Sequence, residues 1–159
     1  MAGSWDPNDL PRLTAGVYAV TSCETTQYNC IAWAATDILN WWEPVDGTMF
    51  GRPIFWPPGV PRNYSVAAYA AALATVGYVE SGNGLLEPGW EKVALFAVET
   101  SPGVFEATHA ARQLSGGTWT SKLGYLEDII HMNVTDVCCP AYGTVVRFLK
   151  RVRTRPMCD

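Results

Sequence analysis

The stretch EKVALFAVETSPGVFEATHAARQLSGGTWTSKLG, residues 91–124, decides how this chain is read. Ser101-Pro102-Gly103 and Ser115-Gly116-Gly117 are turn-formers, and they cut it into three runs suited to a pleated surface. The reading is an antiparallel meander with strands over 91–99, 104–114 and 118–124. Period-two alternation puts Phe105, Ala107, His109, Ala111 and Gln113 on one face of the middle strand. Small alanines beside His109 leave room around the imidazole, so it is expected to point toward the layer packed on the meander.

Working outward, NCIAWAATDILNWW (residues 29–42) carries Ile31, Ala34, Ala35, Ile38 and Trp42 at helical spacing. Asn29 suits an N-cap and Pro44 a stop, so a helix is expected that begins at Cys30 and closes shortly after Trp42. Residues 1–28 read as an irregular lead-in with one short strand near 17–20. Four prolines, Pro53, Pro57, Pro58 and Pro61, make 44–64 a structured loop. An alanine-rich helix is expected over about 65–75, ending before Gly77. Beyond the meander, 126–131 reads as a short helix and 142–152 as a strand or helix. The fold expectation is therefore α+β: N-terminal helices packed on an antiparallel β meander, in one domain spanning 1–159.

The chain has 159 residues, 48% hydrophobic and 16% charged, a globular composition able to bury a core. A net charge of −4 argues against nucleic acid as the main partner, since phosphate binding needs a basic face. The basic cluster Lys150, Arg151, Arg153 and Arg155 reads as a solvated terminal segment. No run approaches the ~18 apolar residues of a membrane span, and the N-terminus lacks the basic and apolar regions of a secretory signal. Five cysteines without such a signal point to reduced thiols in the cytoplasm, though an effector exported by a specialised machine would share these features.

A thiolate, not a thiol, attacks carbonyls, and a helix N-terminus or a nearby imidazole lowers a thiol pKa. Cys30 has the first by position. The chain has only two histidines, His109 and His131, and His109 lies on the strand expected to face the Cys30 helix. The pair Cys30–His109 is thus the candidate for chemistry. The alternatives are a buried cysteine acting as a small hydrophobe and a hydrogen-bonded core histidine. Adjacent Cys138-Cys139 does not fit metal spacing, and a site from Cys30, His109 and His131 is the weaker metal option. No cofactor motif is present. Trp41, Trp42, Trp56 and Tyr64 around the proline-rich loop would line a groove for a peptide or sugar, or simply pack beneath the loop.

The order of a cysteine at a helix start, a histidine on a strand and a polar residue on the next strand resembles the papain-like superfamily of cysteine amidohydrolases. Its compact cell-wall amidase and transglutaminase-like branches are nearest in style. YNCIAWA (28–34) and HAARQLSGGTWTSKLG (109–124) also resemble an uncharacterised bacterial domain family of unknown function, over most of the chain. The papain-like resemblance implies Cys30 as nucleophile toward a peptide or small amide, and His109 as general base. It implies the Cys30 backbone N–H as oxyanion donor, helped by Gln27 or Asn29. For the residue that orients His109, Ser121 shares its face if Ser115-Gly116-Gly117 is a three-residue turn; a two-residue turn would bring Lys122 opposite instead. Asp128 is the rival, because a carboxylate holds an imidazolium better. A non-catalytic binding or immunity-type domain, and a metal-dependent enzyme, stand as the other function classes.

Overall fold

The computed structural model describes residues 2–154. Residues 91–122 build the centre of a seven-stranded sheet. Its strands, in chain order, are β1 (Tyr18–Val20), β4 (Val79–Ser81), β5 (Trp90–Ser101), β6 (Val104–Gln113), β7 (Trp119–Lys122), β8 (Asp128–His131) and β9 (Thr144–Val152). The spatial order is β1-β8-β7-β6-β5-β9-β4, and every neighbouring pair is antiparallel. Two two-residue strands, β2 (Thr48–Met49) and β3 (Arg52–Pro53), form a separate hairpin inside the proline-rich loop. Helix α1 (Cys30–Ala34) and helix α2 (Val66–Ala74) lie on one face of the large sheet.

β5 is central, and both of its faces are buried because a layer covers each. Val93 and Leu95 point to the helices, with Ile31, Leu73, Ala110 and Leu149. Ala94 and Phe96 point the other way, into a second core with Trp5, Trp119, Ile129 and Val137. That second layer comes from residues 5–13 and 134–142, which hold one 3₁₀ turn at Val134–Val137 and no α-helix.

The α+β expectation is overturned. The described residues form a mainly antiparallel β protein with two short helices, not an N-terminal helical layer on a papain-like meander. The helix expected to run from Cys30 past Trp42 stops at Ala34. Thr36 turns into the left-handed region (φ 65°), and the Asp37 carboxylate then accepts from the Leu39 and Asn40 N–H groups and from Trp42 Nε1. A short polar side chain that captures nearby donors competes with the helix ladder, which explains the early stop. The segment 126–131 is not a helix either. Its second half is β8, paired on both sides by β7 and β1, so sheet pairing overrides a weak local preference.

The basic cluster is also not a solvated tail. Lys150 pairs with Glu87 at 3.1 Å, and Arg151 and Arg153 both reach the buried carboxylate of Glu91, at 2.7 and 3.4 Å. Arg155 lies outside the described residues.

One irregularity in the sheet sets the direction of a key side chain. Phe96 pairs with His109 but Ala97 pairs with Ala107, so Thr108 is an extra residue in β6. This bulge sits directly before His109 and is tied down by the Thr108 hydroxyl, which donates to the Tyr142 carbonyl. Gly143 follows at φ 72°, where an added Cβ would lie 2.0 Å from the Ala97 carbonyl oxygen. Gly143→Ala is expected to destabilise the fold by at least about 1–3 kcal/mol in urea unfolding, from backbone strain alone. An unchanged midpoint would show that this close approach does not exist.

Candidate functional site

The bulge decides where His109 points. Ala107 belongs to the helix-side core, whereas His109 and Ala111 turn to the other face. The His109 ring is wholly buried, edge-on to Phe96 at 5.2 Å and stacked on Tyr142 at 4.1 Å. The expectation that it points into the layer of the Cys30 helix is therefore corrected, because an extra residue shifts the alternation.

Beside His109 the ladder lapses. β6 and β7 pair at Arg112–Thr120 and Gln113–Trp119 only, and toward His109 the two strands part. A side-chain chain spans the parted strands: His109 Nε2 to Ser121 Oγ at 3.0 Å, and Ser121 Oγ to His131 Nε2 at 2.9 Å. It ends at the Asn133 carbonyl, 2.8 Å from His131 Nδ1. All three side chains are fully buried, and His109 Nδ1 has no hydrogen-bond partner.

Cys30 approaches the same gap from the helix side. Asn29 caps α1 through its Oδ1, which accepts from the Ala32 N–H, and it also holds the Trp42 backbone through Nδ2 to O at 2.6 Å. With Cys30 thus fixed, its sulfur meets the backbone N–H of Ala110, the residue after His109, and those of Ile31 and Cys30 itself. Burial pushes the thiol up to about 11, and these N–H groups only partly offset it. This reverses the expectation of a lowered thiol pKa; five helical residues do not outweigh burial, even though Cys30 keeps partial solvent access. Burial, and secondarily His131, hold His109 down to about 3. The resting pair is thus a neutral thiol and a neutral imidazole, with no hydrogen bond between them.

The other expected residues divide. Ser121 is brought to His109, as the three-residue turn requires. Asp128 is not: it lies on β8 and accepts the Tyr28 hydroxyl at 2.6 Å, and burial raises its pKa. Asn29 is spent on the cap and the Trp42 backbone, which leaves it unsuited to an oxyanion. Gln27 is exposed and lines a small groove of 170 Å³ with Trp41 and Asn40. Trp56 is a core residue, donating to the Pro61 carbonyl and packed on Tyr69.

Three residues take roles that the sequence alone did not give them. Lys122, fully buried, donates to the carbonyls of Thr25, Gly124 and Leu126 and lies over the Tyr28 ring, pinning the segment that leads into Cys30. Burial brings it down to about 8. His131 closes the imidazole chain, and its position across from Trp119 follows from the β7–β8 register. Tyr142 comes from a distant turn, and no local signal announces it. Among the described residues no cluster of three His, Cys, Asp or Glu side chains could hold a metal ion, and no helix is long and apolar enough to cross a membrane.

Fold and site together define an antiparallel β-sheet domain with a thiol and an imidazole on either side of a parted strand pair. The chain belongs to the family described as "Domain of unknown function (DUF7689)", whose model matches residues 19–150. No curated protein and no solved structure matches it.

Proposed function

We propose that the chain is a cysteine-dependent amidohydrolase or acyltransferase that acts on a peptide or small amide through a thioester at Cys30. One observation carries this reading. The Cys30 sulfur lies beside the backbone N–H of Ala110, the residue next to His109, at a gap in the sheet, while His109 Nδ1 has no hydrogen-bond partner. In this reading the S–H bond breaks as sulfur joins the carbonyl carbon, and the proton passes to Nδ1 of His109. The N–H groups of Cys30 and Ile31 receive the developing oxyanion. The leaving amine takes the proton from His109, and water or an acceptor amine then cleaves the thioester. Ser121 holds the ring through Nε2.

The full burial of His109 and Ser121 favours a second reading, a non-catalytic binding domain that keeps these groups as core hydrogen bonds. One experiment separates the two. The protein is incubated at pH 7 with p-nitrophenyl acetate and its cysteines are mapped by mass spectrometry. Acetyl-Cys30 that disappears in His109→Phe supports the enzyme, with exposed Cys23 as internal reference. Acetylation confined to Cys23 supports the binding domain.

A further inference from the structure

The chain from His109 to Asn133 has a direction, and the direction can be read from its far end. A carbonyl oxygen only accepts, so His131 Nδ1 carries the hydrogen in its 2.8 Å bond to Asn133. His131 is fully buried in the sheet interior, and burial favours its neutral form despite Asp136 nearby. A neutral ring protonated at Nδ1 has a bare Nε2, so the Ser121 hydroxyl donates to it. The Ser121 oxygen then accepts from His109 Nε2–H, which leaves the lone pair of His109 on Nδ1.

We infer that His131 is a positioning residue: acting through Ser121, it locks His109 as the Nε2–H tautomer and so keeps Nδ1 free to accept a proton from Cys30. This rests on the proposed enzymatic reading for its purpose, but not for its geometry. The role usually given to a carboxylate or amide beside a catalytic histidine is taken here by a hydroxyl whose own hydrogen is held by a second imidazole. Asp128, on the same strand, accepts from Tyr28 on the helix side of the sheet, the face opposite to that of Ile129 and His131, and so does not compete. Without His131, the Ser121 hydroxyl is free to swing and donate to His109 Nε2. The ring proton then moves to Nδ1, and the lone pair that would accept the thiol proton is lost.

With only two histidines in the chain, the test is direct. Nitrogen-15 histidine NMR at pH 7, without substrate, reports which ring nitrogen of each carries hydrogen. Wild type is expected to show His109 protonated on Nε2 and His131 on Nδ1. His131→Phe should move the His109 hydrogen to Nδ1, while His131→Gln, which retains an acceptor oxygen, should keep it on Nε2. Wild-type His109 protonated on Nδ1 overturns the inference even if neither variant folds, as does a His109 pattern unmoved in folded His131→Phe. Cys30 acetylation is read in parallel and should fall at least about 100-fold in His131→Phe, the scale of lost base catalysis. A tautomer swap with acetylation unchanged overturns the enzymatic reading instead.

Discussion

Lowering the pH from 7 to 3 should cost the wild-type fold on the order of 4 kcal/mol through His109 alone. The unfolded chain takes up a proton on this side chain near its ordinary value of 6.5, whereas burial holds the folded value down to about 3. The unfolded state therefore binds more protons throughout that window, and stability falls as pH falls across it. Below pH 3 this contribution stops changing. His131 is lowered by burial too and adds loss of the same sign, while Asp128, raised by burial, opposes it. The comparison that isolates His109 is urea unfolding of wild type and His109→Phe at several pH values. The variant should show a shallower acid limb whatever its stability at pH 7. Parallel curves would mean that His109 is protonated in the native state.

Glu91→Ala should destabilise the protein by about 3–5 kcal/mol, the scale of a buried charge network that loses one member. Glu91 is 1% exposed and forms ion pairs with three guanidinium groups, those of Arg151 at 2.7 Å, Arg153 at 3.4 Å and Arg112 at 3.5 Å. It also accepts the Tyr78 hydroxyl at 2.8 Å. Removing it leaves three like charges facing one another behind α1 and α2. Arg112 lies over Trp33 of α1, and Trp33 donates to Thr120 of β7, so the loss spreads to the element that carries Cys30. Glu91→Gln keeps hydrogen-bond acceptance and should cost less than Glu91→Ala. Equal effects, or a midpoint within ordinary surface-mutant scatter, would show that the charge contributes little.

Long-range networks of this kind separate what is legible in the sequence from what is not. The meander is legible because alternation and two glycine turns agree over 91–122, and the observed strands end within a few residues of the expected positions. The three-residue turn at Ser115-Gly116-Gly117 puts Ser121 on the His109 face, and those two side chains do meet. The bulge at Thr108 is hidden, since nothing in FEATHAA marks an extra residue. It is held by Tyr142, about thirty positions away, and it reverses the face of His109. The first helix misleads because Ile38 and Trp42 continue an apolar period that the backbone abandons at Thr36. Lys122 reads only as the residue that a two-residue turn would set opposite His109, and the carbonyls of Thr25, Gly124 and Leu126 are what give it a buried place.

The enzymatic account stands on proton transfer between two groups that are neutral at rest, so the decisive measurement compares two reactions at one sulfur. Iodoacetamide alkylation reports resident thiolate, whereas acetylation by p-nitrophenyl acetate at pH 7 reports attack assisted by His109. The account predicts Cys30 alkylation that rises only as pH approaches about 11, alongside ready acetylation at pH 7 that His109→Phe abolishes without slowing alkylation. Acetylation that merely follows the alkylation profile, and is indifferent to His109, would contradict it.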